Sequence, residues 1–150
     1  MKIVFLCHGN VNRSAAGEII VKTKYPHHEV RSAGLKTKDG QITAKKMRDS
    51  LNESGYPTEG IRSSVCTQDL LDWADVVFYM DNGNEKRLRD QFGDVTHAER
   101  LSNYVPGLNK IPDPAFAPGT DLHMKVIKMI ETALENFSEI KEWEASLPDA

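Results

Sequence analysis

The amino-acid sequence predicts an α/β protein, a parallel sheet with helices packed on both of its faces. Two apolar runs carry the strands of that reading. Ile3-Val4-Phe5-Leu6-Cys7 opens the chain, and Val76-Val77-Phe78-Tyr79-Met80 stands at its middle. Unbroken apolar runs of this length mark strands buried on both sides. Between and after them lie segments with apolar residues at helical spacing, and strands that alternate with helices build a parallel sheet. The 150 residues suit a single domain spanning 1–150.

Taken in order, residues 2–7 read as the first strand and Arg13 to Lys24 as the first helix. Ala15, Ala16 and Gly17 near its start allow that helix to approach the sheet closely. Glu29 to Ala33 is short and alternating, a second strand ending at Gly34. Thr43 to Ser54 fits a helix with Thr43 as its cap and Gly55 as its stop. Tyr56 to Arg62 is weakly extended, and Thr67 starts a short helix with a capping side chain. Asp75 to Met80 is a strand bounded by Asp81-Asn82-Gly83, Asn84 to Phe92 a helix, and Ala98 to Leu101 a brief last strand. The proline- and glycine-rich stretch from Tyr104 to Thr120 is a long surface loop, and loops of that length usually serve a function. Leu122, Val126, Ile130, Leu134 and Phe137, widened by Ile127, Ala133 and Ile140, form the core-facing stripe of a final helix.

Composition excludes several classes. Nineteen basic against 22 acidic residues give a net charge of −3, which argues against a nucleic-acid binder built on overall positive charge. Two cysteines, Cys7 and Cys66, rule out a disulfide scaffold and an all-cysteine zinc site. The first apolar run is too short for a secretory leader, and nothing approaches the ~18 residues of a membrane span. The chain is therefore expected in the cytoplasm with reduced thiols and without membrane insertion.

Ligands of wound parallel sheets bind beyond the carboxyl ends of the strands. Cys7 sits at the end of the first. There the chain reads Cys7-His8-Gly9-Asn10-Val11-Asn12-Arg13-Ser14, or C-x5-R-S between a strand and a helix. Such a gap closes into a loop whose amides converge on one anion, and the helix start adds its positive end. Gly9 brings no Cβ, and Asn10 tolerates left-handed backbone. Arg13 offers a planar fork for two phosphate oxygens. A cysteine in that field is expected to be a thiolate nucleophile, with the Ser14 hydroxyl donating to its sulfur. By average composition, a chance match of this pattern at either cysteine arises in about one sequence in a hundred. A leaving oxygen also needs a proton, and Asp113 in Pro112-Asp113-Pro114 is the candidate general acid. A turn aspartate would be the commoner explanation on its own.

With Cys7-x5-Arg13-Ser14 at one end and Asp113-Pro114 near the other, the chain resembles the low-molecular-weight protein tyrosine phosphatases. Ser32-Ala33-Gly34 and the strand from Ala74-Asp75 to Met80-Asp81 extend the likeness over nearly the whole length. The resemblance implies a four-stranded parallel sheet in flavodoxin-like order 2-1-3-4 and a two-step reaction through phosphocysteine. Cys7 would attack phosphorus, while Arg13 and the His8–Ser14 loop hold the transferring group. Asp113 would protonate the leaving oxygen and then activate water, and Asn10 would brace the loop. Leu35, Lys36 and Phe116 fall where the substrate rim is expected. No metal or organic cofactor is implied. The partner is a phosphotyrosine-containing protein or a small phosphate ester, with inorganic phosphate as product and inhibitor. The sequence departs from many relatives in three places. Asn12 stands where a second loop cysteine would sit, so no protective disulfide can form there. Ala115-Phe116 replaces the tyrosines that often follow Asp-Pro, and Leu35 to Gln41 lacks an aromatic.

Two other functions share this motif, thiol-linked arsenate reduction and non-catalytic phosphate binding. The first generally needs two further cysteines, and only Cys66 remains. Cys66 itself reads as a small buried hydrophobe. His27, His28, His97 and His123 lack metal-ligand spacing, and Trp73 and Trp143 read as packing residues. Lys86-Arg87-x-Arg89 reads as a solvated helix face. His8 lines the mouth of the loop, as a tuning group or a passive rim.

Overall fold

A computed structural model describes residues 1–148. Four parallel strands, β1 (Lys2–Cys7), β2 (Glu29–Gly34), β3 (Val76–Tyr79) and β4 (Ala98–Arg100), form one sheet in the order β2-β1-β3-β4. β1 aligns Cys7 with Gly34 on one side and Phe5 with Phe78 on the other. The order reverses direction at β1, which places the loop after Cys7 at the crevice that such sheets use for ligands.

Helices cover both faces, as the alternation of buried side chains requires. Ile3, Phe5 and Cys7 face α1 (Arg13–Lys24), α2 (Lys45–Glu53), α5 (Asp121–Asn136) and α6 (Ser138–Ala145). Val4, Leu6 and Val77 face α3 (Gln68–Trp73) and α4 (Asn82–Phe92). Close approach of α1 depends on Gly17, where a Cβ would lie 2.7 Å from the Phe5 ring. On the first face the Phe78 ring meets Phe137 edge-on at 5.1 Å, an arrangement aromatic pairs favour.

Several element boundaries differ from the sequence expectation. The final helix is two helices, broken at Phe137, whose N–H still closes α5 on the Ala133 carbonyl. That break buries both Phe137 and Ile140 in the core. α4 begins two residues early, because the Asp81 side chain accepts from the Asn84 N–H and caps the helix. Thr43 caps nothing: Ala44 precedes α2, and the buried Thr43 hydroxyl has no hydrogen-bond partner. Thr67 does cap α3, accepting from the Leu70 N–H. Leu101 leaves β4 and starts a 3-10 turn running to Tyr104. Between Tyr56 and Arg62 only an isolated bridge from Ile42 to Arg62 forms. The long loop is pinned at its middle by buried Ile111, whose N–H donates to the Met80 carbonyl at 2.9 Å.

Candidate active site

The loop from Cys7 to Arg13 carries its own strain and its own brace. Asn10 is the one residue other than glycine with positive φ among the described residues, at 57°. Gly9 avoids that region, and a Cβ there would meet only Val11 Cγ2 at 3.6 Å. The left-handed turn therefore falls on the asparagine. Its buried side chain repays it with three hydrogen bonds. Asn10 Oδ1 accepts from the Ser64 N–H at 2.8 Å, and Nδ2 donates to Ser14 Oγ at 2.7 Å and Ser32 Oγ at 2.9 Å. Ser32 Oγ in turn donates to Glu18 Oε1 at 2.6 Å. With its oxygen already accepting from Asn10, Ser14 has its proton free for Cys7 Sγ, 2.9 Å away. The Asn10 N–H also points at that sulfur, at 3.3 Å. Gly34, beside Cys7 in the sheet, leaves room for the loop, since a Cβ there would lie 2.7 Å from the His8 carbonyl oxygen.

Arg13 is buried, and its Nη1 donates to Asp81 Oδ2 at 2.7 Å and to the Ile111 carbonyl at 2.9 Å. Its Nη2 lies 3.8 Å from Asp113 Oδ2. Burial pushes the Asp81 carboxyl up, but the Arg13 hydrogen bond and the Asn84 N–H outweigh it and hold its pKa below the ordinary value. Asp113 is exposed at the mouth, its Oδ1 accepting from the Ala115 N–H at 3.0 Å.

Two open cavities meet at this point. One of about 230 Å³ is lined by Cys7, Arg13 and Asp113 together with Val11, Lys36 and Phe116. The other, of about 400 Å³, shares His8, Arg13 and Asp113 and adds Asp81, Arg100 and Lys110. The structure thus brings Cys7, Arg13 and Asp113 to one place, with His8, Gly9, Val11 and Asn12 around them. Asn10 and Ser14 stand behind the loop, both buried. Of the three rim residues, Phe116 is fully exposed and Lys36 lines the cavity. Leu35 does not: it is buried in the core of the opposite sheet face, while its N–H donates to the Cys7 carbonyl.

Sequence reading missed Asp81, Ser32 with Glu18, Asn84 and Arg87. Asp81 follows a strand at its carboxyl end, the position where ligand-side residues gather, and that placement could have marked it. The Lys86-Arg87-x-Arg89 face is only partly solvated. Lys86 and Arg89 make exposed pairs with Asp90 and Glu85, whereas Arg87 Nε donates to His8 Nε2 at 2.7 Å.

The family model described as low molecular weight phosphotyrosine protein phosphatase matches residues 2–146. PtpB of Staphylococcus epidermidis, a low molecular weight protein-tyrosine-phosphatase, is 32% identical over 114 residues, covering 76% of this chain and 81% of the relative. A protein tyrosine phosphatase from Entamoeba histolytica superposes with a TM-score of 0.82 at 29% identity, over 98% of this chain and 99% of that one. A cysteine-to-serine mutant of YwlE arginine phosphatase, solved with its active-site serine phosphorylated, superposes at 0.85 with 25% identity over 97% of each chain. The chain belongs to the low-molecular-weight protein tyrosine phosphatase family.

Proposed function

We propose that this protein is a cysteine-dependent phosphatase that hydrolyses phosphate monoesters, foremost phosphotyrosine in proteins, through a phosphocysteine intermediate. The observation that carries this reading is the convergence of Cys7, Arg13 and Asp113 on one cavity, with the sulfur facing the Ser14 hydroxyl and the Asn10 N–H. Those two donors would stabilise negative charge on sulfur, both in the nucleophile and in the departing thiolate. In the first step Cys7 Sγ forms a bond to phosphorus as the ester oxygen leaves with a proton from Asp113. In the second, water attacks phosphorus, its proton passes to the Asp113 carboxylate, and the P–S bond breaks. Arg13 and the loop amides would hold the equatorial oxygens throughout. Inorganic phosphate, the product, would compete for the same loop. These steps use side chains of the chain itself.

Arsenate reduction is disfavoured by the placement of the thiols. Cys7 belongs to the core on one face of the sheet and Cys66 to the core on the other. Gly34 lies between them, paired with Cys7 on one side and bridged to Val65 on the other. Two such spacings of ~4.8 Å put Val65, the neighbour of Cys66, about 10 Å from Cys7, and the two thiols lie in cores on opposite faces, outside disulfide reach. Burial also pushes the Cys66 thiol up to about 12. Two free cysteines and the absence, among the described residues, of a helix able to cross a membrane support a cytoplasmic setting.

The test is steady-state hydrolysis of a phosphotyrosine peptide, a phosphoarginine peptide, an aryl phosphate and arsenate turnover with thiol, on wild type and Cys7→Ser. Aryl phosphate and phosphotyrosine hydrolysis that vanishes in Cys7→Ser is expected. Activity that survives in the variant would refute the mechanism.

A further inference from the structure

The cations at this end of the sheet are mostly committed. Arg13 is held by Asp81, Arg100 by Glu85 and Asn82, Arg89 by Glu85, and Lys86 by Asp90. Arg87 differs from its helix neighbours. It forms no ion pair among the described residues, and its one hydrogen bond there runs from Nε to an imidazole. Buried Asn84 packs against the other edge of the ring, its Nδ2 3.3 Å from His8 Nδ1, while its Oδ1 accepts from the Met80 N–H. Anchored at Nε, the guanidinium keeps Nη1 and Nη2 without an acceptor among the described residues, in a planar fork suited to a carboxylate.

Its position says which anion it meets. His8 lines both cavities, and Arg87 lines neither, so Arg87 stands just outside the place where phosphate is held. The phosphate has Arg13 and the loop amides. Arg87 therefore faces what flanks it. Exposed Lys36 also borders the mouth, on the side of the smaller cavity, and Lys110 borders the larger. The carboxylates lining these cavities are Asp81, already paired with Arg13, and Asp113.

We propose that Arg87, positioned by His8, is a specificity residue of this site that recognises an acidic side chain flanking the phosphorylated residue of a protein substrate. The inference rests on the phosphatase reading above. The anchoring bond requires a neutral His8 with its proton on Nδ1, and the surroundings favour the neutral ring. Burial lowers the His8 pKa, Arg87 from α4, Arg13 from α1 and Lys36 beyond β2 lower it further, and Asp81 opposes them. A fixed rim cation of this kind acts on substrate capture more than on the chemical step.

The experiment compares two phosphotyrosine peptides that differ only in flanking Glu against Gln, with an aryl phosphate as control, on wild type, Arg87→Gln and Arg87→Lys. Wild type is expected to favour the Glu peptide by about fivefold in kcat/KM, the scale of one partly exposed ion pair. The preference should lie in KM and fade at high salt. Arg87→Gln should bring the ratio of the two peptides to about one, and Arg87→Lys should retain part of it. The ratio within each variant is read independently of any change in overall activity. Hydrolysis of the control without discrimination between peptides, or a ratio unchanged in Arg87→Gln, overturns the role of Arg87. Failure of wild type to hydrolyse any of the three overturns the phosphatase reading beneath it as well.

Discussion

Arg13 commits one amino group to Asp81 and the Ile111 carbonyl, which leaves Nη2 turned toward Asp113 at the cavity. A guanidinium held from behind in this way does not have to be ordered when phosphate arrives, and that saving goes into the transition state. Asp113 faces the same cavity on a segment stiffened by Pro112 and Pro114. If it supplies the leaving-group proton, Asp113→Asn should lose about 10²–10³ in kcat on phenyl phosphate and far less on an ester with an acidic phenol. Equal losses on both would remove Asp113 from that role, and a leaving-group series in steady state measures it. Cys7, Arg13 and Asp113 were legible because a short motif and a proline-framed aspartate announce themselves locally. Asp81, Ser32 and Arg87 were not. Their partners in the loop lie 68, 22 and 79 residues away in sequence, and only the folded sheet brings them together.

At the scale of elements, each helix and strand near the site has a reason in sequence that reaches the chemistry. Gly17 lets α1 sit against Phe5, which fixes the angle at which Arg13 and Ser14 enter the loop. The Asp81 side chain both caps α4 and holds Arg13, so a single carboxylate ties the helix that carries Arg87 to the Cys7–Arg13 loop. Ile111 pins the long loop to the end of β3, which brings Asp113 over the cavity. The parallel winding was legible because strands alternating with helices permit few arrangements, whereas the order 2-1-3-4 was legible only through the family resemblance. The start of α4 and the break at Phe137 were not. A cap that doubles as an arginine partner, and a core aromatic that overrides helical continuity, are decided by tertiary contacts rather than by local preference. Leu35, one residue past β2, shows the same limit, since it is buried in the core although its neighbour Lys36 lines the cleft.

The whole molecule carries −3 while the candidate site gathers Arg13, Lys36, Arg100 and Lys110 against Asp81 and Asp113, so overall charge and local charge have opposite signs. Its stability should also depend on pH in a definite sense. His8, His28 and His123 are each lowered below 6.5, in every case chiefly by burial. Below about pH 6.5 the unfolded chain takes up protons that these native histidines refuse, so stability is full above that point and falls as pH drops toward their native values. Cys66 works at the other end. Its native thiol keeps its proton up to about 12 against an unfolded value of 9.0, so stability is lost again as pH rises through 9. Urea midpoints measured under reducing conditions from pH 5 to 10 should therefore peak between about 7 and 9. A midpoint that climbs steadily from pH 7 down to 5 would contradict the placement of these buried groups.

The proposed reaction passes the phosphoryl group through Cys7. The direct measurement is mass spectrometry of acid-quenched protein during turnover of an aryl phosphate, with peptide mapping of the modified residue. Phosphate on Cys7, formed and discharged at rates that account for steady-state turnover, is the expected result. Turnover at full rate with an unmodified Cys7, or with phosphate on another residue, would contradict it.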